Sequence, residues 1–61
     1  MKPICKLTGT DGNAFAVIGA VSQTLKKAGQ NTQAQEFTKK AFESESYDVM
    51  LTLAMEYVEI K

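Results

Sequence analysis

The 61-residue chain contains no histidine and only one cysteine, Cys5. One chain can therefore form neither an intramolecular disulfide nor an ordinary zinc site of cysteine and histidine. Acid–base catalysis most often uses histidine, and the carboxylates here are scattered along faces that the pattern assigns to solvent. We expect no enzymatic activity, no metal and no cofactor. We interpret Cys5 as a small buried apolar residue in preference to a reactive thiol.

Arginine is absent too, and seven lysines balance seven acidic residues. Nucleic-acid binding relies on excess positive charge and on the two-pronged contacts of arginine, so we do not expect generic DNA or RNA binding. The apolar runs stay far below the roughly 20 residues that span a bilayer, and residues 1–5 are not followed by the apolar region of a signal peptide. The sequence therefore predicts a cytoplasmic protein without a membrane partner.

Little chain is available for a hydrophobic core. Residues 1–61 are predicted to form a single α+β domain, and folding a chain of this length buries only about 60% of the surface that the unfolded chain exposes. Below roughly 70–80 residues, one core rarely supplies more than a few kcal/mol without disulfides, metal or association. Self-association is the remaining means of stabilisation, so we predict a homo-oligomer.

What the sequence does contain is a polar turn, Gly9-Thr10-Asp11-Gly12-Asn13, that runs directly into its most regular apolar pattern. The turn is predicted to join a strand to a helix. Its glycines allow the backbone to reverse, and Asp11 or Asn13 can accept hydrogen bonds from the unpaired amides of the first helical turn.

The apolar pattern after the turn has the period of an α-helix. Its stripe consists of Ala14, Val17, Ile18, Val21, Leu25 and Ala28, with Phe15 beside it. Lys26 and Lys27 fall in the last turn, where cations interact favourably with the helix dipole, and Gly29 stands at the C-terminal cap. We take this segment as the central helix.

A second face of the central helix is made of small residues. These are Gly12, Ala16, Gly19 and Ala20. Because glycine inside a helix costs roughly 1 kcal/mol relative to alanine, we expect another backbone to lie close to Gly19. Packing against a helix of the same chain is favoured, and a seam between two subunits stays open as the alternative.

Two further helices follow. The second is predicted to begin at Asn31 or Thr32, with Thr32 and Gln35 at the spacing of a capping box, and to end near Glu43. Its apolar stripe is Ala34, Phe37, Ala41 and Phe42. Ser46 can cap a third helix with Asp48 in its first turn. The buried face of that helix is predicted to be Met50, Leu53, Ala54 and Tyr57, with Val49 adjoining.

Strands are predicted at both ends, over residues 3–8 and 57–61, the latter from alternation that places Val58 and Ile60 on one side. The fold class is therefore α+β with the order β-α-α-α-β. The two terminal strands can pair only with each other within one chain. An isolated two-stranded ribbon is marginal in water, so the sheet is extended or the helices pack across a homo-oligomer.

The turn is also the best candidate for a ligand site. Backbone and side-chain donors at a helix N-terminus suit a phosphate or a polar base, with Lys2 or Lys6 supplying charge and Tyr47 an aromatic contact. The candidate ligand-binding residues are Lys6, Gly9, Thr10, Asp11, Gly12, Asn13 and Tyr47. Asp11 counts against an anionic ligand, and a capped strand-to-helix turn with no ligand explains the same residues.

Several segments resemble a group of short proteins that are common in bacteriophages and mobile elements. They are DGNAF at 11–15, Gly19, LKKAG at 25–29, a phenylalanine in the second helix, SYD at 46–48 and MEYVE at 55–59. The resemblance covers nearly the whole chain, and DGNAF followed by LKKAG is its most specific part. It carries over no residue role. It implies a genomic setting in which very small phage proteins are often inhibitors of host systems, including proteins that sequester nucleotide signals of immunity.

Two functions are consistent with these observations and with that implied setting in the host cytoplasm. The first is a homo-oligomeric binding protein that captures a host nucleotide-type ligand at the turn or at a subunit seam. The second is an interaction protein that blocks or adapts a host protein without a small-molecule ligand. A structural accessory with no ligand also remains open.

Overall fold

The computed structural model describes residues 2–7 and 13–61 and confirms the predicted order of elements in a small α+β fold. The elements are β1 (Ile4–Cys5), α1 (Ala14–Lys27), α2 (Asn31–Phe42), α3 (Tyr47–Tyr57) and β2 (Glu59–Ile60). The described part of the chain contains no helix with the length and apolarity needed to cross a membrane.

The two terminal strands pair with each other, as predicted, and they run parallel. Ile4 lies opposite Glu59 and Cys5 opposite Ile60. The Glu59 amide donates to the Pro3 carbonyl at 2.9 Å, and the Lys61 amide donates to the Cys5 carbonyl at 3.0 Å. Within the described residues these two strands make up the whole sheet, so each strand has one edge that no other described strand covers.

Both strands are shorter than predicted, and the start of the second was placed wrongly at residue 57. Tyr57 is the last residue of α3, and the Val58 amide still donates to the Ala54 carbonyl at 3.0 Å. The helix thus keeps its hydrogen bonds through the region where the helical and strand patterns overlap. The strand begins only at Glu59.

The end of α1 is set by Gly29, which has a φ of 78°. The Gly29 amide donates to the Lys26 carbonyl at 3.0 Å and the Gln30 amide to the Leu25 carbonyl at 2.8 Å. This is the Schellman arrangement, and its left-handed residue favours glycine because a side chain there would be strained. Gly29 therefore ends the helix as expected, directly after the cap residue Ala28.

The capping box predicted at Thr32 is wrong. α2 begins at Asn31, with Gln30 as the cap residue, and the Ala34 amide donates to the Gln30 carbonyl at 3.0 Å. The Schellman turn of α1 leads straight into the next helix, so Thr32 already lies inside the first turn. The cap predicted at Ser46 is confirmed, because its Oγ accepts from the Val49 amide at 3.2 Å.

The core lies where the three helices meet the strand pair. Its buried members are Cys5, Val17, Ile18, Val21, Leu25, Ala34, Phe37, Ala41, Met50, Ala54 and Val58. Cys5 is therefore a buried apolar residue, as predicted. The predicted stripes are confirmed at their centres, whereas Ala14, Leu53 and Tyr57 are half-buried and Ala28 is exposed.

The helix expected against Gly19 is absent, and that prediction is wrong for the described part of this chain. Gly19 is exposed, and a Cβ atom added to it would meet nothing within 4 Å. Ala16 and Ala20 are half-buried. The buried residues of α1 are Val17, Ile18, Val21 and Leu25, and Gly19 lies outside this set. A seam with a second subunit stays a prediction.

Candidate functional site

Asn13 is the cap of α1, one of the two alternatives predicted for the turn. Its backbone is extended, with φ −114° and ψ 100°, and its Oδ1 accepts from the Ala16 amide at 3.1 Å. The Asn13 carbonyl accepts the first intrahelical bond, from the Val17 amide at 3.1 Å. Asn13 thus has a structural role that uses its oxygen, and its side-chain NH₂ group keeps donor capacity for a ligand.

The structure describes only some of the other residues of the predicted site. Gly9, Thr10, Asp11 and Gly12 lie outside the described residues, so their part in the site stays a prediction. Tyr47 is half-buried and packs against the edge of the core.

Lys6 and Tyr47 border two different surface depressions, so the structure does not bring them together in one cleft. Lys6 borders a surface depression together with Thr24 and Lys27, near the C-terminal end of α1. Tyr47 borders a cleft beside Ala14 and Phe15, at the N-terminal end of the same helix. Positions 14 and 24 are separated by about 15 Å along a helix axis, at 1.5 Å per residue. Lys6 and Tyr47 of one chain therefore lie towards opposite ends of α1.

The sequence analysis missed a pair of exposed aromatic rings next to this cleft, Phe15 of α1 and Phe42 of α2. Phe15 is 73% exposed and Phe42 58% exposed, and their ring centroids lie 5.8 Å apart. Phe42 was predicted to be part of the buried stripe of α2. At about 100° per residue it lies about 140° around the helix from the buried Phe37, and so it faces away from the core.

The cleft beside the aromatic pair is shallow, with a volume of about 170 Å³. Two of its polar side chains already form hydrogen bonds within the chain. The Ser46 hydroxyl caps α3, and the Ser44 hydroxyl donates to the Ala41 carbonyl at 2.6 Å. Glu45, on the same border, is exposed and carries negative charge. The cleft itself therefore suits an uncharged aromatic group, and a phosphate would have to lie away from Glu45.

Tyr57, predicted for the buried face of α3, is half-buried and packs at the edge of the core. Its ring lies edge-on to Phe37 with centroids 5.6 Å apart, and its hydroxyl donates to Glu36 Oε1 at 2.7 Å. Lys40 Nζ lies 3.6 Å from the same oxygen. The hydrogen bond from Tyr57, followed by the charge of Lys40, lowers the pKa of Glu36, and that hydrogen bond with partial burial raises the pKa of Tyr57. This cluster joins α2 to α3 and is not part of the cleft.

A metal centre has no support among residues 2–7 and 13–61, where no three potential ligand side chains come together. The aromatic pair, Tyr47 and the capped start of α1 are the described groups that could hold a small molecule. Comparison of the chain with protein-family models, curated proteins and solved structures gives no match.

Proposed function

We propose that the protein is a homo-oligomeric binding protein that sequesters a nucleotide-type ligand. The base of the ligand lies against Phe15 and Phe42, and its phosphate lies at the N-terminus of α1. The protein acts by removing this ligand from solution and performs no chemistry on it. The resemblance to short phage proteins supports a ligand of the host cell, which would be a nucleotide signal of defence.

The exposed aromatic pair is the observation that carries this proposal. Each of the two phenylalanines has more than half of its surface in solvent. Burying this apolar surface against a ligand or partner would be favourable, so we expect a further contact there. Stacking of a base on an aromatic side chain contributes about 1–3 kcal/mol and does not depend on charge. Such a contact suits a chain with no net charge and no arginine.

The start of α1 supports the phosphate part of the proposal. Phe15 is the second residue of α1, so its ring lies beside the helix terminus. The first amides of a helix have no partner within the helix, and the dipole favours an anion there. Asn13 takes up the amide of Ala16, which leaves the amides of residues 14 and 15 to meet a phosphate oxygen. Gly9, Thr10, Gly12 and the side-chain NH₂ of Asn13 would complete this cradle.

The size of the cleft supports a site shared between subunits. Typical small-molecule sites enclose roughly 300–1,000 Å³, and the cleft beside the aromatic pair has about 170 Å³. One chain therefore offers room for part of a nucleotide. The remaining walls would come from a second subunit, which would also cover the exposed aromatic pair.

Titration calorimetry against a panel of linear and cyclic nucleotides tests the proposal. We expect at least one nucleotide to bind, and the combined substitution Phe15→Ala with Phe42→Ala to weaken binding about tenfold or more. Met55→Ala is the matched control, since Met55 is a similarly exposed apolar residue that does not border the cleft. Affinity should change less with salt than polyanion binding does. Absence of heat with every nucleotide would contradict the proposal.

The second candidate function, inhibition or adaptation of a host protein, draws on the same aromatic pair. Exposed aromatic side chains are enriched at the centres of protein interfaces. In that case the Phe15→Ala and Phe42→Ala variant loses a host protein that the parent and the Met55→Ala control retain after purification from host cells. Nucleotide binding would then be absent from all three.

A further inference from the structure

A groove between α3 and the end of α2 carries more acidic than basic side chains on its border. It is lined by the apolar residues Val49 and Leu53, the acidic residues Glu43, Asp48 and Glu56, the neutral polar residues Ser44 and Thr52, and Lys40. We call this surface the acidic groove. It encloses about 520 Å³, and Val49 is 51% exposed within it. Lys40 is already paired with Glu36 at 3.6 Å, so the acids dominate the border.

A second surface has the opposite character. Ile4, which is 51% exposed, lies with Pro3 and Ala28 between Lys6 and Lys27. We call this surface the basic face. Among the described residues, the lining of this depression holds two lysines and no acidic residue, and Glu59 lies outside the lining, opposite Ile4 in the strand pair. Each surface thus has an apolar centre and charged edges, and the signs of the charges are opposite.

The two surfaces have no residue in common, so one chain can use both at once. We infer that the basic face of one subunit docks into the acidic groove of the next, with Ile4 against Val49 and Leu53. The lysines then meet the carboxylates at the border. This contact rests on the homo-oligomer of the proposed function and names its interface. A contact between two different patches is head-to-tail, and it generates a closed ring or an open filament.

Two double charge reversals test the contact without touching the core. The basic-face variant carries Lys6→Glu and Lys27→Glu, and the groove variant carries Glu43→Lys and Glu56→Lys. All four side chains are exposed. A single exposed ion pair contributes little to binding, but reversal also turns attraction into repulsion. Each variant alone should therefore raise the dissociation constant of the oligomer about tenfold or more, as measured by light scattering and sedimentation.

Mixing the two variants gives the sharper readout. A reversed basic face matches a reversed groove, and the two unreversed surfaces match each other, so the equimolar mixture should assemble into oligomers heavier than either variant alone, with the parent mass regained where the parent ring has an even number of subunits. This assembly also shows that both variants are folded. The control variant carries Lys26→Glu and Lys39→Glu, the same change in net charge on lysines that border a different depression, and it should assemble like the parent.

Failure of this contact and failure of the proposed function give different results. An oligomeric parent whose basic-face variant matches the Lys26→Glu and Lys39→Glu control would overturn the contact and leave the oligomer intact. A mixture no heavier than its components would also overturn the contact. A parent with the mass of one chain would overturn both the contact and the proposed homo-oligomer. Nucleotide binding is measured separately and decides the ligand part of the proposal.

Discussion

At the scale of single residues, Asn13 fixes where α1 begins. Its Oδ1 accepts from the Ala16 amide, an interaction that alanine cannot replace. We expect Asn13→Ala to lower the free energy of unfolding by about 0.5–2 kcal/mol, as measured by urea denaturation. Asn13→Asp keeps an acceptor and should stay close to the parent. Gln23→Ala, an exposed change within the same helix, is the control for helix propensity. An Asn13→Ala variant as stable as the parent would mean that another residue caps α1.

Residue patterns also show how far the sequence can predict this fold. The centres of the helices were predictable because burial follows the 3.6-residue period, as at Val21, Phe37 and Ala54. The ends of the helices were harder to predict from the sequence. Whether Thr32 caps a helix depends on the Schellman turn before it. Whether α3 includes Tyr57 depends on the hydrogen bond from the Val58 amide to the Ala54 carbonyl. Phe42 lies five residues after the buried Phe37, a spacing that indicates a different face of α2 and therefore exposure. It was nevertheless assigned to the apolar stripe because phenylalanine is apolar.

The candidate site was only partly predictable for a related reason. The cap at Asn13 depends on residues only three positions apart in the sequence, and it was among the predicted alternatives. The aromatic pair joins residues on two helices, and the separation of Lys6 from Tyr47 depends on how α1 lies across the strands. Distances of this kind come from tertiary packing, which spacing along the chain does not encode.

At the scale of elements, the hydrogen bond from Tyr57 to Glu36 links α3 to α2 and predicts a pH effect. Because the pKa of Glu36 is lowered in the fold, its ionised form stabilises the native state above the unfolded pKa of about 4.3, and this contribution is lost as the pH falls through the folded pKa. In Tyr57→Phe the pKa of Glu36 should rise towards its ordinary value. The stability difference from the parent should be full at pH 7 and shrink below about pH 4.3.

NMR titration of the Glu36 carboxyl group, with urea denaturation at pH 7 and pH 3, measures both effects. Tyr47→Phe is the matched control, because the Tyr47 hydroxyl makes no contact with Glu36 in the described structure. Identical titration of Glu36 in the parent and in Tyr57→Phe would show that the hydrogen bond is not formed in solution.

At the scale of the whole molecule, the fully buried core is small, and among residues 2–7 and 13–61 it contains only one large aromatic side chain, Phe37. A core of this size in a chain this short contributes few kcal/mol, and association adds the rest. We therefore expect the melting temperature to rise with protein concentration, because assembly stabilises only the folded state. Calorimetric scans over a hundredfold range of concentration measure this. A melting temperature independent of concentration, with a one-chain mass at every dilution, would contradict the expectation.

The parallel pairing of β1 with β2 has a kinetic consequence. Ile4 and Glu59 are neighbours in the sheet although 55 positions separate them along the chain. Closing so long a loop costs entropy that must be met before the strand contacts form, so contacts of this kind slow folding. During translation the three helices emerge before β2. Cys5 therefore has no partner strand while the helices are being made. The sheet, and with it the burial of Cys5 against Val58, can form only when residues 58–61 have left the ribosome.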